Sequence, residues 1–278
     1  MRIGSKTSCT KGGNHRKPYV LRGKTDAADA AAICEAMSRP GMRFVPARNA
    51  NNQADLMLHK TRELVVKQRT MSVNNLRGQL AEFGIVAAKG IGRVEDLVGM
   101  AQRDPTLPKA AKMAIDIIIR QVEAQNAAIA DFDREIVAAH TQNPTSLLLV
   151  GIPGIGPLAA SLVVATVPDP QAFKSGRDFA AWLGLTPRLS NTGGNERRGT
   201  PITKQGDRRI RQLLVLGATA VLSMVAKRQG AMRDWVVELL ARKPARLVSV
   251  ALANKLARML WAMMTTGEGF RREIFSRG

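Results

Sequence analysis

A mainly α-helical protein is predicted by three observations. Apolar residues recur at helical spacing through two long, charged stretches, 51–83 and 109–140. The second half of the chain divides into apolar runs separated by Gly and Pro turns. Strand patterns are sparse, and no internal repeat or low-complexity tract is present. A hydrophobic content of 45% over 278 residues supports a packed core, in one large domain or two smaller ones.

The elements follow in order. Residues 1–24 are basic, contain no Asp or Glu, and lack the apolar core of a signal peptide. Thr25–Asp26 stands where a cap is needed for the run AADAAAICEAM, which Pro40 and Gly41 stop. MRFVP at 42–46 is a short strand candidate closed by Pro46. Leu56, Leu64, Val65, Leu76 and Leu80 then mark a long helix from about Asn51 to Phe83. Gly84 and a loop to Pro108 interrupt it. Lys109 to His140 forms a second, with Ile115, Ile118, Ile119, Val122, Ile129, Phe132 and Ile136 on one side. Two long amphipathic helices joined by a loop make an antiparallel hairpin or coiled-coil arm. Asn143–Pro144 marks a boundary, so a second domain starts near Thr145. The last segment opens with SLLLVGIPGIGPLAASLVVATV, two short apolar helices around a Gly–Pro turn. Asp169–Pro170 starts another turn, Arg177 to Leu183 is a short helix, and further helices lie near 207–228, 231–242 and 245–265. Met224, Met232, Met259, Met263 and Met264, with Trp235 and Trp261, are assigned to the packing of a helical core.

Charge narrows the function. Lys and Arg total 42 against 22 for Asp and Glu, a net charge of +20, which points to nucleic acid before membrane. No uninterrupted apolar run is long enough to span a bilayer, so no membrane partner is expected. Cys9 and Cys34 have no partners at metal spacing and read as reduced thiols of a cytoplasmic protein. His15, His59 and His140 are too scattered for a zinc site. Aromatics at 4% argue against a base-stacking single-strand binder.

Three constellations carry chemistry. The most informative is GLTPRLSNTGGNERRGTPITKQGDRRIRQL, from Gly184 to Leu213. It gathers Arg188, Arg197, Arg198, Lys204, Arg208, Arg209 and Arg211 around four glycines, opposed only by Glu196 and Asp207. Glycines let a ligand approach the backbone, and guanidinium forks match phosphate oxygens. This predicts a loop that grips a nucleic-acid backbone. Its hydroxyls, Ser190 and Thr192 among them, are either nucleophiles activated by nearby arginines or ordinary loop residues of a phosphate clamp. The second constellation is the turn Ile152-Pro153-Gly154-Ile155-Gly156, the pattern of a helix-hairpin-helix. There the amides of Gly154, Ile155 and Gly156 can accept a phosphate; the plainer reading is a glycine cap between two core helices. The third is Asp26 and Asp29, three residues apart and so on one face of a helix. They either hold Mg²⁺, which prefers oxygen ligands, or cap the helix and favour its positive end.

These residues carry a resemblance. KPYVLRGKTDAADAAAICEAMSRPGMRFVP, LMLHKTRELVVKQRT and LRGQLAEFGIV resemble the DEDD transposases of bacterial insertion sequences, the bridge-RNA-guided recombinases. GIPGIGPLAASLV, FAAWLGLTPR and the run TGG…ITKQGDRRIRQLLVLGA resemble the C-terminal domain of the same family. The resemblance spans about Lys17 to Trp261 and keeps the family's order of motifs. It implies a RuvC-like α/β domain, of which 1–48 is a remnant, a helical arm over 49–144, and a helical transposase domain over 145–278. It implies a homo-oligomer that binds DNA and a structured guide RNA, and cuts and rejoins strands with Mg²⁺ and a serine nucleophile. By motif, Asp26 and Asp29 are the last two acids of the family's tetrad. The first two belong on upstream strands, and this sequence has no acid before Asp26, so an N-terminally shortened copy, inactive alone, is expected. The family's Ser-Ser/Thr-Gly-Gly is here Asn191-Thr192-Gly193-Gly194, with Ser190 just before it. Either Ser190 or Thr192 replaces the nucleophile, or it is gone. The rivals are a non-catalytic nucleic-acid-binding fragment and a RuvC-like junction nuclease.

Overall fold

A computed structural model describes residues 25–38, 48–88, 90–188, 191–192, 195–196, 201–225 and 230–270. The protein is mainly α-helical. The basic N-terminal residues and the strand expected at 42–46 lie outside the described residues. The first helix, α1 (Asp26–Ser38), starts where the sequence places its cap. The described chain then divides into two compact units, one over Gln53–Ala139 and one that includes His140–Gly278.

The first unit is a helical arm. Helix α2 (Ala50–Ala81) ends at Gly84, whose φ of 76° lets the amides of Gly84 and Ile85 fold back onto the carbonyls of Ala81 and Leu80. Helix α4 (Lys109–Gln142) returns alongside α2. Arg62 makes a two-pronged pair with Asp133, at 2.6 and 3.1 Å, and Arg69 donates to Asn126 at 2.9 Å. Both links fit a single antiparallel register. That register sets the buried His59, Val73 and Leu80 opposite the buried Ile136, Val122 and Ile115. Ile115, Val122, Ile129 and Ile136 stand seven residues apart, all buried, which is the spacing of a coiled-coil seam. Leu64, expected in the seam, is instead 53% exposed.

Sequence reading left residues 85–107 as a loop, and here the structure corrects it. Val94–Arg103 form a helix, α3, with Glu95 and Asp96 in its first turn and Arg103 in its last. These charges suit the helix dipole. Leu97 and Ala101 bury one face against Leu76, Leu80, Ile85, Leu107 and Ile115, which closes this end of the arm. Arg77 ties the connection down by donating to the carbonyls of Ala87 and Gly90.

The second unit is built around α10 (Ala245–Thr266). Its Val248, Leu252, Leu256, Leu260 and Met263 are buried, and it packs on α7 (Gly176–Trp182) and α8 (Arg208–Ser223). By length and composition alone α10 is apolar enough to cross a membrane. It is the core helix of this unit, with half of its most apolar window buried inside the fold and Arg246, Lys255 and Arg258 along its length. Helix α5 (Pro144–Leu149) is capped by Asn143, whose side chain accepts from the Ser146 amide, with Pro144 at the first position. His140 and Ser146 hydrogen-bond at 2.7 Å in the interior. Helix α6 (Pro157–Thr166) is short and buries most of its surface. Helix α9 (Ala231–Leu240) packs against α10, and Met224, assigned to the core, is 50% exposed.

Candidate nucleic-acid interface

The basic segment is not a loop. Helix α7 ends at Gly184, φ 74°, with the amides of Gly184 and Leu185 turned back onto Ala181 and Ala180. The chain then runs out along 184–188 and back along 201–204. The Arg188 amide donates to Pro201, Thr203 to Thr186 and Lys204 to Gly184, with Pro187 bridged to Ile202. Farther out, β1 (Asn191–Thr192) pairs antiparallel with β2 (Asn195–Glu196). The pairing sets Thr192 opposite Asn195, with the two glycines 193 and 194 between them in sequence. Glycine pairs are preferred at such two-residue connections. A β-hairpin therefore carries Arg188 and Lys204, while Arg208, Arg209 and Arg211 stand on α8. The signals were the glycine pair and the Thr-Pro-Ile-Thr run; no alternation of apolar residues announced the strands.

Its base is fixed by close backbone packing. Gly206 has a φ of 75°, and a Cβ there would lie 1.9 Å from the Trp182 carbonyl oxygen, so only glycine fits. Asp207 caps α8 by accepting from the Arg209 and Ile210 amides. Arg211 does not face a ligand with its whole fork. Its Nη1 donates to the Leu183 carbonyl at 2.8 Å and the Gln205 carbonyl at 2.7 Å, which ties α7 to α8. Burial lowers its pKa from the ordinary value, against the raising effect of Asp207. Arg211, expected among the phosphate-gripping residues, thus serves as a strut through one nitrogen of its fork.

Arg188, Lys204 and Arg208 are exposed, and Arg209 is half-buried. Lys204 has a φ of 58°, a left-handed conformation that side-chain-bearing residues seldom adopt outside sites where it serves a purpose. Arg208 and Arg209 occupy the first turn of α8, where the dipole already places positive charge. That arrangement costs about 0.3–1 kcal/mol per cation in isolation. A polyanion placed there would offset it. Arg197, Arg198 and Ser190 lie outside the described residues, and of Thr192 and Asn191 only the backbone is described.

The second constellation, the turn between α5 and α6, is packed backbone to backbone on α8. Gly154 has a φ of 89°, and a Cβ on it would lie 2.8 Å from the Gly217 carbonyl oxygen. A Cβ on Gly217 would lie 2.0 Å from that of Gly154. The Ile155 amide donates to Ile152, and the Ile155 side chain is buried. The expected set of three phosphate-facing amides thus narrows. Gly156 is exposed, has open space where a side chain would be, and begins α6.

The third constellation places Asp26 and Asp29 in the first turn of α1, with Asp26 exposed. Among the described residues no group of three or more His, Cys, Asp or Glu could hold a metal ion. The carboxylates described do not make up a Mg²⁺ site by themselves.

Residues 146–233, from α5 through the hairpin into α9, match the family described as Transposase IS116/IS110/IS902. The chain is 41% identical over 92% of its length to a probable family 20 transposase of Pseudomonas aeruginosa, covering 76% of that protein. The chain belongs to the IS116/IS110/IS902 transposase family. It is also 49% identical to a putative transposase, y4pF/y4sB, of Sinorhizobium fredii, spanning 92% of this chain and 66% of the relative. Against the transposase for insertion sequence element IS1328 of Yersinia enterocolitica it is 34% identical, with 92% and 76% covered. The matched IS116/IS110/IS902 segment contains the whole hairpin, its α8 base and the α5–α6 turn.

Proposed function

We propose that this chain binds DNA and a structured guide RNA through the basic β-hairpin and the first turn of α8, as part of a transposase that cuts and rejoins DNA strands. The observation that carries the reading is the exposed Arg188 and Lys204 on a hairpin base packed too closely at Gly206 for any side chain, with Arg208 exposed at the start of α8. A basic ribbon anchored at its base suits a duplex groove, because its cations meet phosphates from a defined place in the fold. Arg197 and Arg198 extend the same run of charge in sequence. Gly156 at the start of α6 is a second phosphate contact in this reading, the surviving part of the helix-hairpin-helix expectation. Ser190 or Thr192 supplies the attacking hydroxyl: its proton leaves as its oxygen bonds to a DNA phosphorus, the bond from that phosphorus to a deoxyribose oxygen breaks, and arginines neutralise the charge that grows on the phosphoryl oxygens. A homo-oligomer is part of the reading. Met57, Leu64 and Met71, seven residues apart on α2, are 70%, 53% and 61% exposed, an apolar stripe of the kind that pairs helices.

The test is salt-titrated binding to duplex DNA and to folded RNA. The logarithm of affinity should fall steeply with the logarithm of salt, by about 0.9 for each phosphate neutralised on B-DNA. Reversing Arg188, Lys204 and Arg208 to Glu together should reduce that slope by about two to three. An unchanged slope in a folded triple variant moves the binding surface elsewhere. Strand cleavage that requires Mg²⁺ and is lost in both Asp26→Asn and Asp29→Asn separates the enzyme from a non-catalytic binder.

A further inference from the structure

A cavity of about 530 Å³ lies on the α7–α10 side of the second unit. Its floor is apolar, with Met259 and Met263 from one stripe of α10. Trp261 forms a wall and is locked in place, since its indole N–H donates to the Pro170 carbonyl at 2.9 Å. Phe270 closes another side. Three cations reach the same cavity, Arg177 from α7 and Lys255 and Arg258 from α10, and no carboxylate is among the described residues that line it. Gly176 allows this convergence. A Cβ there would lie 3.1 Å from the Arg258 Cα, so the start of α7 rests directly on the α10 backbone.

Arg177 is exposed, whereas Lys255 and Arg258 are half-buried. Lys255 Nζ lies 4.7 Å from the centre of the Trp235 ring, and burial, then the charge of Arg258, lowers the amine's pKa from its ordinary value. Gathering three like charges around an apolar floor is unfavourable by itself. An anion with a flat apolar body relieves both parts of that cost. The volume falls within the usual range for small-molecule sites, roughly 300–1,000 Å³, and exceeds what a lone phosphate needs.

Position supplies the source of such a ligand. The cavity lies at the N-terminal end of α7, and the basic hairpin leaves from its C-terminal end. Seven residues of helix span about 10 Å, roughly three nucleotides of a strand at about 3.4 Å each. A strand gripped at the hairpin base therefore passes within reach of the cavity.

We propose that this cavity takes one unpaired nucleotide of a bound strand, its base against Met259, Met263 and Trp261 and its phosphate against Arg177, Lys255 and Arg258. The proposal rests on the nucleic-acid reading above and adds a second, separate site. It confines base stacking to one nucleotide, which agrees with a chain poor in aromatics. Stacking holds the base without reading its identity, so the site selects for an unpaired nucleotide and not for a sequence.

The experiment uses the full chain with ¹³C-labelled methionine methyls. Adenosine 5′-monophosphate should shift the Met259 and Met263 signals, whereas inorganic phosphate should leave them in place. A duplex with one central unpaired nucleotide should bind at least about fivefold more tightly than a fully paired one of equal length, the low end of what base–aromatic stacking contributes. Ala262→Phe fills the cavity and should abolish both the methyl shifts and the preference, with paired duplex bound as before. Arg177→Glu, at an exposed position, should weaken the preference without touching the core. A preference that survives both variants, or methyl signals unmoved while duplex binds, overturns the cavity and leaves the hairpin reading intact. Loss of all duplex binding by the unaltered chain overturns the hairpin reading and, with it, the strand as the source. Tighter binding of the free mononucleotide than of either duplex likewise overturns the strand and assigns the cavity to a soluble nucleotide.

Discussion

Two basic residues at the root of the hairpin have opposite roles, and chemistry alone would not separate them. Arg211 donates twice to backbone carbonyls of other segments, while Lys204 points a charge outward from a left-handed backbone. Arg211→Met should remove about 1–2 kcal/mol of stability, since hydrogen bonds to charged groups are among the stronger ones and this one is only half-buried. Its salt slope for DNA should stay unchanged. Lys204→Gly should do the reverse. It relieves the left-handed backbone by about 1 kcal/mol and flattens the slope by about one. Denaturant unfolding and salt-titrated binding on the same two variants check both statements. In the sequence, Arg211 sits among seven similar basic residues. What sets it apart is the carbonyl of Leu183, far away along the chain, and no local pattern encodes that.

Among the elements, the turn between α5 and α6 shows how a motif can be read correctly and its residues unevenly. Ile152-Pro153-Gly154-Ile155-Gly156 announces a tight turn between apolar helices, and the two helices are there. The sequence does not say that Gly154 meets Gly217 of α8, because that contact depends on two glycines more than sixty residues apart. Gly217→Ala should cost at least about 2 kcal/mol, as a methyl placed 2.0 Å from a carbonyl oxygen forces the backbones apart. Gly156→Ala, with open space around it, should leave the melting temperature almost unchanged. Thermal melts of the pair decide this, and a tolerant Gly217 would show that α8 can move off the turn. Substitution at Gly156 thus also isolates any phosphate contact from packing, which substitution at Gly154 does not. Helix α3 is hard to read for another reason: at ten residues, with Gly99 inside it, it is too short for periodicity to stand out, although its charges follow the dipole.

Taken whole, the chain announced its class and its long helices through composition and period. The limits of α2, α4 and α10 lie within two residues of those read from apolar spacing, since each presents several turns to a core. Less readable were the features made by distant partners: the hairpin's ladder, the strut at Arg211 and the cavity beside α7. Each brings together residues far apart in sequence. The same explains why the excess charge of +20 was visible at once while the cations lining the cavity were not. Arg177, Lys255 and Arg258 are scattered through two unremarkable helices and form a group only once Gly176 lets those helices touch.

The seam of the arm has a consequence for how the chain can vary in length. A strict seven-residue repeat on a helix of 3.6 residues per turn winds α2 and α4 into a left-handed rope. In such a rope, length comes in fixed steps, because any other insertion rotates one helix out of the seam. Both helices must also change together, for Arg62 is locked to Asp133 and Arg69 to Asn126. Removing 63–69 together with 126–132 should leave a shorter arm that still melts cooperatively by circular dichroism. Removing either segment alone should leave helix content but a broad, non-cooperative melt. Insertions and deletions in this arm are thus expected to occur as matched sevens, like teeth taken from both sides of a zip.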